Sequence, residues 1–422
     1  MQPFKRVLVG TTELQETEQG YTANFGGLSL GSAFQPIFSV AHRKAVGYEG
    51  LLRAYDVDGQ YVQPGQVMQR PGSNREHLEL DRSCRLLHAG NFSRQSCDVS
   101  WLFLNLNSQC LVNERPDAGF MRGLMAQTGL PARRIVIEIL ESEISDRAYL
   151  KELITHFRKL GCLIAIDDFG AGHSNFDRIW ELQPDIVKVD RSLVHQAGKS
   201  LKVERILTGI VSLIHEAGSL VVIEGVETEK EALVALSSNA DLVQGFFFAR
   251  PQAEVRQDSQ FATLIDDLLR KQHSVRSQYN RKLESQFGHF HEHYAAELAD
   301  FSSGIAFEQC GQHVFQDERV VRCYLLDVDG YQIGKSQYSP SYTARLDIRH
   351  VPLLAGENAN WSHRHYHYRA IQSPGQTQIS RPYLSVAGSH MCVTVSQAVS
   401  LTGKTYVFCC DLDWADEDEL VF

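Results

Sequence analysis

Eight short apolar runs recur between residues 30 and 250, most of them separated by segments with helical periodicity. The runs are Phe34–Phe38, Val46–Leu52, Leu102–Leu106, Ile135–Ile139, Leu163–Ile166, Ile186–Val189, Val221–Ile223 and Leu242–Phe246. In KELITHFRKLG, the residues Leu153, Ile154, Phe157 and Leu160 share one helical face. Ile206, Leu207, Ile210, Val211 and Ile214 do the same in KVERILTGIVSLIHEAG. Alternating strands and helices imply a mostly parallel sheet, and eight such units predict a closed barrel. Only SVAHRKA separates the first two runs, too little for a crossover helix, so these strands should be antiparallel. The expected fold is α/β: an irregular TIM-like (β/α)8 barrel with an antiparallel first strand.

The 422 residues favour two or three domains. From Asp258 to about Phe301 the chain reads as one long helix, without proline. Its apolar positions are Phe261, Ile265, Leu268, Val275, Tyr279, Leu283, Phe287, Phe290, Tyr294, Leu298 and Phe301. A helix of this length packs on a second copy or connects domains, so a homodimer is expected. Beyond Ser303, VVRCYLLDVDGYQIG gives two strands around an Asp-Gly turn. HYHYRAI, SRPYLSVA, HMCVTVSQAVSL and KTYVFCCDLDW follow, each short and β-rich. The expected division is a barrel over 25–255, a connecting helix over 256–302, and a small α+β domain on an antiparallel sheet over 303–422.

A net charge of −10 argues against binding DNA, RNA polymers or anionic membranes, and a small anionic ligand would need a local cluster of cations or metal. The nine cysteines include no CxxC pair, which fits reduced thiols in a cytoplasm, and adjacent Cys409 and Cys410 should take alternate faces of a strand. The N-terminus lacks the apolar core of a signal peptide, and no run of about 20 apolar residues is present, so no membrane span is expected.

Barrel chemistry sits at the C-terminal ends of the strands. There the runs carry Glu49, Asn105, Glu138, the adjacent Asp167 and Asp168, Lys188, Glu224 and Gln244. A single strand-end aspartate is usually a loop cap, but five carboxylates at one mouth repel unless cations neutralise them. Oxygen donors of this kind suit Mg²⁺ or Mn²⁺, and a pair of ions bridged by an aspartate suits phosphodiester hydrolysis. Adjacent aspartates point to opposite faces of an ideal strand, so both can face the mouth only where the strand frays.

The segments YEGLLR, FLNLNS, IVIEILESE, IAIDDFGAGHSNFDRI, PDIVKVDRSLV, VVIEGVETEKEA and VQGFFFARP resemble the EAL-domain phosphodiesterases of cyclic di-GMP, over roughly residues 25 to 255. The signature triplet is EGL here, with Gly50 where the family usually has alanine. The resemblance implies two Mg²⁺ or Mn²⁺ ions held by Glu49, Asn105, Glu138, Asp167 and Asp168. It implies Lys188 as the holder of the attacking water, and Glu224 as general base or water-mediated metal ligand. It makes Gln244 a support of the site, places Gln35 and Arg53 against the dinucleotide, and has Glu141 steady the loop after the aspartate pair, a loop linked to dimerisation. Leu140 and His173 depart from the family at positions that bear on that loop. The implied reaction is hydrolysis of cyclic di-GMP to linear pGpG, with a non-catalytic cyclic di-GMP receptor as one alternative and a two-carboxylate glycosidase as the other.

The C-terminal stretch is similar to PAS-like Cache sensor domains and to the domain that follows the EAL domain in YkuI-type proteins. That similarity makes Trp361, Arg364, Tyr366, Tyr383 and Asp411 candidates for a small-ligand pocket, with Trp361 and Tyr383 equally readable as core. HRHYHY puts His363, His365 and His367 on one face of a strand, a spacing that could bind zinc, but exposed polar decoration is the better reading since no carboxylate or cysteine sits at ligand spacing nearby.

Overall fold

The computed structural model describes residues 6–9, 12–18, 20–95, 100–107, 118–140, 147–171, 176–255, 260–341, 356–385 and 391–414. The chain forms two compact units that meet in sequence at Val275 and Arg276.

In the first unit, β1 (Arg6–Val9), β2 (Thr12–Thr17) and β3 (Gly20–Phe25) make an antiparallel meander. It joins β4 (Leu28–Ser39), which runs antiparallel to β5 (Lys44–Tyr55); the short β6 (Tyr61–Val62) also pairs with β5. Parallel strands β7 (Trp101–Leu106), β8 (Ile135–Leu140), β9 (Leu163–Phe169), β10 (Ile186–Val189), β11 (Leu220–Ile223) and β12 (Leu242–Val243) follow. β7 is parallel to β5, and β12 pairs antiparallel with β4, closing an eight-strand ring in which β4 alone opposes its neighbours. The antiparallel start follows from the short β4–β5 link, as expected. The meander β1–β3 was not anticipated, because its strands are only four to six residues long and two of them are largely polar. The run Leu242–Phe246 is strand only at its first two residues, since the chain then turns back so that Phe247 N–H donates to Val226 O.

Helices cover the barrel because their apolar stripes match the sheet. Leu153, Ile154 and Phe157 are buried, as are Leu207, Val211 and Ile214. Ile206 departs from the expected face and is 49% exposed, being one helical step of about 100° from Leu207. Ser73 and Thr228 cap the helices Asn74–Ser93 and Glu229–Ser237, the second in a capping box with Glu231.

The interior of the ring is plugged by Ile37, Phe103, Val136, Ala165, Ile186, Val222 and Leu242, with Val46, Trp101 and Leu163 packed against them. Every ring strand contributes to this plug.

The helix Gln260–Ser302 starts in the first unit, where Phe261, Ile265 and Leu268 join the core outside the barrel. Its last turns belong to the second unit, where Phe287, Phe290, Tyr294, Leu298 and Phe301 pack on one face of a sheet. That sheet contains β13 (Val320–Asp327), β14 (Gln332–Tyr338), β15 (Gln378–Ile379), β16 (Tyr383–Leu384), β17 (Met391–Leu401) and β18 (Lys404–Asp413), in the order β14-β13-β18-β17-β15 with β16 beside β17. The Asp329–Gly330 turn joins β13 to β14, with Gly330 at a φ of 85°. Cys409 and Cys410 are buried on opposite faces of β18 as unoxidised thiols.

HYHYRAI forms a helix, His365–Gln372, and not a strand. Tyr366 and Ala370, four apart, bury its inner face on the sheet. The three histidines therefore share no face: His363 precedes the helix, and His365 and His367 diverge at a two-residue spacing. His367 Nε2 instead meets Asp327 O at 3.0 Å. Among the described residues no helix is long and apolar enough to cross a membrane.

Glu297, 1% exposed on the long helix, accepts backbone N–H groups from Gly311, His313 and Val314. Glu297→Ala strands all three donors, and the buried N–H groups of Gly311 and Val314 cost about 1–3 kcal/mol each. Chemical denaturation should show the second unit losing several kcal/mol, with Glu297→Gln losing less.

Candidate functional site

The polar ring sits one pleat above the apolar plug. Side chains two residues apart share a strand face. Counting two residues from plug to mouth leads from Ile37 to Gln35, from Phe103 to Asn105 and from Val136 to Glu138. The same step leads from Ala165 to Asp167, Ile186 to Lys188, Val222 to Glu224 and Leu242 to Gln244. On β5 a register shift in the pairing with β4 separates Ile37–Gly47 from Phe38–Ala45, and Glu49 then pairs with Gln35.

Lys188 stands at the centre, 1% exposed. Its Nζ lies 2.5 Å from Glu224, 2.6 Å from Glu138, 3.2 Å from Asp167 and 3.5 Å from Glu49. Glu49 is held between two amides: Asn105 Nδ2 donates to Oε1 at 3.0 Å and Gln244 Nε2 to Oε2 at 2.7 Å. Gln35 Nε2 donates to Ala249 O at 3.3 Å, and the Arg53 guanidinium, four residues beyond Glu49 on β5, donates to Leu52 O at 2.9 Å. Asp190 is not part of the ring; it caps the helix Arg191–Ala197 through Ser192 N–H. Glu141 and His173 lie outside the described residues.

The adjacent aspartates reach the mouth together by a bulge. Val187 pairs with Ile166 and Val189 with Phe169, so Asp167 and Asp168 together oppose Lys188. Asp168 takes the left-handed φ of 56°, and its N–H donates to Asp167 Oδ1 at 3.0 Å. The kink undoes the strand alternation, and one oxygen each of Asp167, Asp168 and Glu224 falls within 4.8 Å of the others.

One ammonium cannot neutralise four carboxylates. Burial raises Glu138 and Glu224 well above the usual carboxylate range; Lys188 pulls both down, and their acidic neighbours push them up again. Burial and Asp167 raise Asp168 as well. Burial alone would lower Lys188, but the carboxylates around it hold it well above its ordinary value and so charged. Glu138 Oε1 is engaged by the Lys188 ammonium, whereas Glu138 Oε2 and Gln244 Oε1 are buried without a hydrogen bond. Unpaired acceptors, crowded carboxylates whose ionisation a nearby cation would favour, and an all-oxygen donor set fit hard divalent cations.

Two supports escaped the sequence reading. Gly50 faces His88: a Cβ there would sit 2.9 Å from the His88 Cβ and Cγ, so glycine is needed wherever this histidine stands. His88 is fully buried and held neutral, its pKa lowered to about 3 by burial and by Arg53, and its Nδ1 meets Ser32 Oγ at 2.8 Å. The second support is the buried Asp81–Arg85 pair on the helix Asn74–Ser93; Asp81 Oδ1 accepts Asn107 N–H at 3.0 Å and so fixes the chain just after Asn105. Neither residue lies in an apolar strand run, and the only sequence signal was polar residues on the buried face of a helix.

The family model for the EAL domain matches residues 26–251, more than half of the chain. This protein belongs to the EAL-domain family. Among curated relatives, the signaling protein YkoW of Bacillus subtilis is 27% identical over 224 residues, covering 52% of this chain and 28% of YkoW. The probable cyclic di-GMP phosphodiesterase PdeB of Escherichia coli is 27% identical over 220 residues, covering 51% of this chain and 42% of PdeB. The chain thus spans less than half the length of these relatives. A crystal structure of the Bacillus subtilis YkuI protein, with an EAL domain in complex with substrate c-di-GMP and calcium, shares the fold at a TM-score of 0.75. It is 22% identical and covers 92% of this chain and 96% of that one, so the likeness extends beyond the EAL domain.

Gly50→Ala should cost about 1–3 kcal/mol in chemical denaturation, by overpacking against His88, and much less in a His88→Ala background. Asparagine tolerates the left-handed conformation, so Asp168→Asn should keep the wild-type melting temperature while weakening Mn²⁺ binding in calorimetry. Asp168→Val should lower the melting temperature as well.

Proposed function

We propose that this chain hydrolyses one phosphodiester bond of cyclic di-GMP, giving linear pGpG, with Mg²⁺ or Mn²⁺ as cofactor. The observation that carries this reading is the ring of Glu49, Glu138, Asp167, Asp168 and Glu224 gathered around Lys188 at the open end of an EAL-type barrel. Glu49, Asn105, Glu138, Asp167 and Asp168 would hold the ions. Two bound divalent ions would acidify a water and offset the phosphate charge.

The chain's own residues then do the following. Lys188 Nζ, fixed between Glu224 and Asp167, donates to the attacking water and orients it. Glu224 accepts the water proton. The water oxygen bonds to phosphorus in line as the bond to the ribose 3′ oxygen breaks, and that oxygen leaves with a proton from solvent. Gln244 and Asn105 keep Glu49 in place through their amide hydrogen bonds. Arg53 and Gln35 lie on the same side as Glu49 and would contact the dinucleotide. The helix Gln260–Ser302 accounts for one expected role by joining the two units; we assign it the second role, a homodimer contact, as part of the same proposal, together with a cytoplasmic site of action.

Product analysis tests the reading. Purified protein with cyclic di-GMP and Mg²⁺ or Mn²⁺ should yield pGpG, and EDTA should abolish turnover, which a two-carboxylate glycosidase would survive. Glu49→Ala should lower the rate by at least a hundredfold without unfolding the barrel. Saturable binding of cyclic di-GMP without product under these conditions assigns the chain as a receptor instead.

A further inference from the structure

The second unit holds most of the described cysteines, and the barrel reading uses none of them. Cys310, Cys323, Cys392, Cys409 and Cys410 are all buried there as free thiols. The sheet register sorts them. Cys392 on β17 faces Asp413 and Tyr383, and Cys409 on β18 faces Tyr324 and Ser396. Cys323 on β13 faces Cys410 on β18 directly. Among the described residues this is the one cysteine pair that shares a cross-strand position.

Three observations make that pair suited to a covalent bond. Directly opposed residues on antiparallel strands have Cα atoms about 4.5–5.5 Å apart, inside the range of about 4.4–6.8 Å that a disulfide spans. Both side chains leave the sheet on the same face, in the cluster formed with Phe290, Tyr294 and Phe408. One thiol donates to the other at 2.8 Å, so no rotation of the backbone is needed to bring the sulfurs together. Cys310 belongs to the same cluster, but it lies before β13, is 8% exposed, and donates to Ala306 O at 3.6 Å.

We propose that Cys323 and Cys410 form a redox site that a hydroperoxide converts into a cross-strand disulfide. One sulfur attacks hydrogen peroxide; the O–O bond breaks, a sulfenic acid forms and one water leaves. The second sulfur attacks the sulfenic sulfur; the S–O bond breaks, the S–S bond forms and a second water leaves. Two electrons pass from the sulfurs to the peroxide, and the two thiol protons depart in the waters. Both thiols are 0% exposed, and burial raises Cys410 well above the ordinary thiol range, so it stays protonated. Oxidation is therefore slow and follows local opening of the sheet, and the same burial then shields the disulfide from bulky reductants. The two cysteines are 87 positions apart in sequence, so the bond closes a long loop and restricts the unfolded chain. The site is independent of the barrel chemistry.

The test incubates the full chain with hydrogen peroxide, removes the peroxide with catalase, alkylates free thiols in guanidinium and maps the peptides by mass. A peptide pair linking Cys323 to Cys410, two hydrogens lighter than the separate peptides, should accumulate over hours, while Cys84 in the barrel stays alkylatable. The melting temperature of the second unit should rise by at least about 5 °C, and Cys410→Ala should remove that rise. Should Cys410→Ala fail to fold, the wild-type peptide map decides alone. Three results would overturn the proposal: Cys323 and Cys410 both alkylated after a treatment that has already oxidised the methionines, linkage of Cys323 to Cys310 instead, or an equal rise in melting temperature in folded Cys410→Ala.

Discussion

A buried ammonium among too many carboxylates governs the barrel. Lys188 is almost fully enclosed and touches acidic oxygens from four strands, β5, β8, β9 and β11. Charges are costly to bury, and an acidic cluster of this density would not form without an internal cation. Lys188 supplies one positive charge and fixes the geometry, yet it leaves the cluster short of neutrality. That crowding of acidic oxygens is what suits the mouth to a divalent cation. The apolar plug below serves the same end, because it excludes water from the underside of the ring and leaves one open face.

The second unit shows the same physics with the opposite sign. Arg322 and Asp411 form a buried pair whose acceptor side is satisfied and whose donor side is not. In the barrel the unspent groups are acceptors, on Glu138 and Gln244; beneath the short helix they are donors, on Arg322, Trp361 and Arg364. Unpaired buried polar atoms are uncommon in folded proteins, so each group stands out within its unit.

Much of the barrel site was legible as pattern. The period of two along β7, β8, β9, β10, β11 and β12 places Asn105, Glu138, Asp167, Lys188, Glu224 and Gln244 on one face, and the short link SVAHRKA gave the antiparallel start. The supports were not legible. His88 and Asp81 belong to the helix Asn74–Ser93, and only packing reveals that one stands against Gly50 and the other holds the turn after Asn105. HYHYRAI misled because alternating histidine and tyrosine imitates a strand. A helix formed there because Tyr366 and Ala370 at a spacing of four could both be buried against the sheet.

The sequence by itself determined which polar residues line the barrel mouth, since strand alternation and the spacing of apolar runs are local properties of the chain. It also determined that β4 must oppose β5, because a link of that length permits nothing else. The tertiary structure alone decided that both aspartates face the mouth, through a bulge and a left-handed Asp168 that no strand pattern specifies. It also decided how far one lysine could serve four carboxylates, because those distances are set by closure of the ring, and closure joins residues as far apart as Glu49 and Gln244.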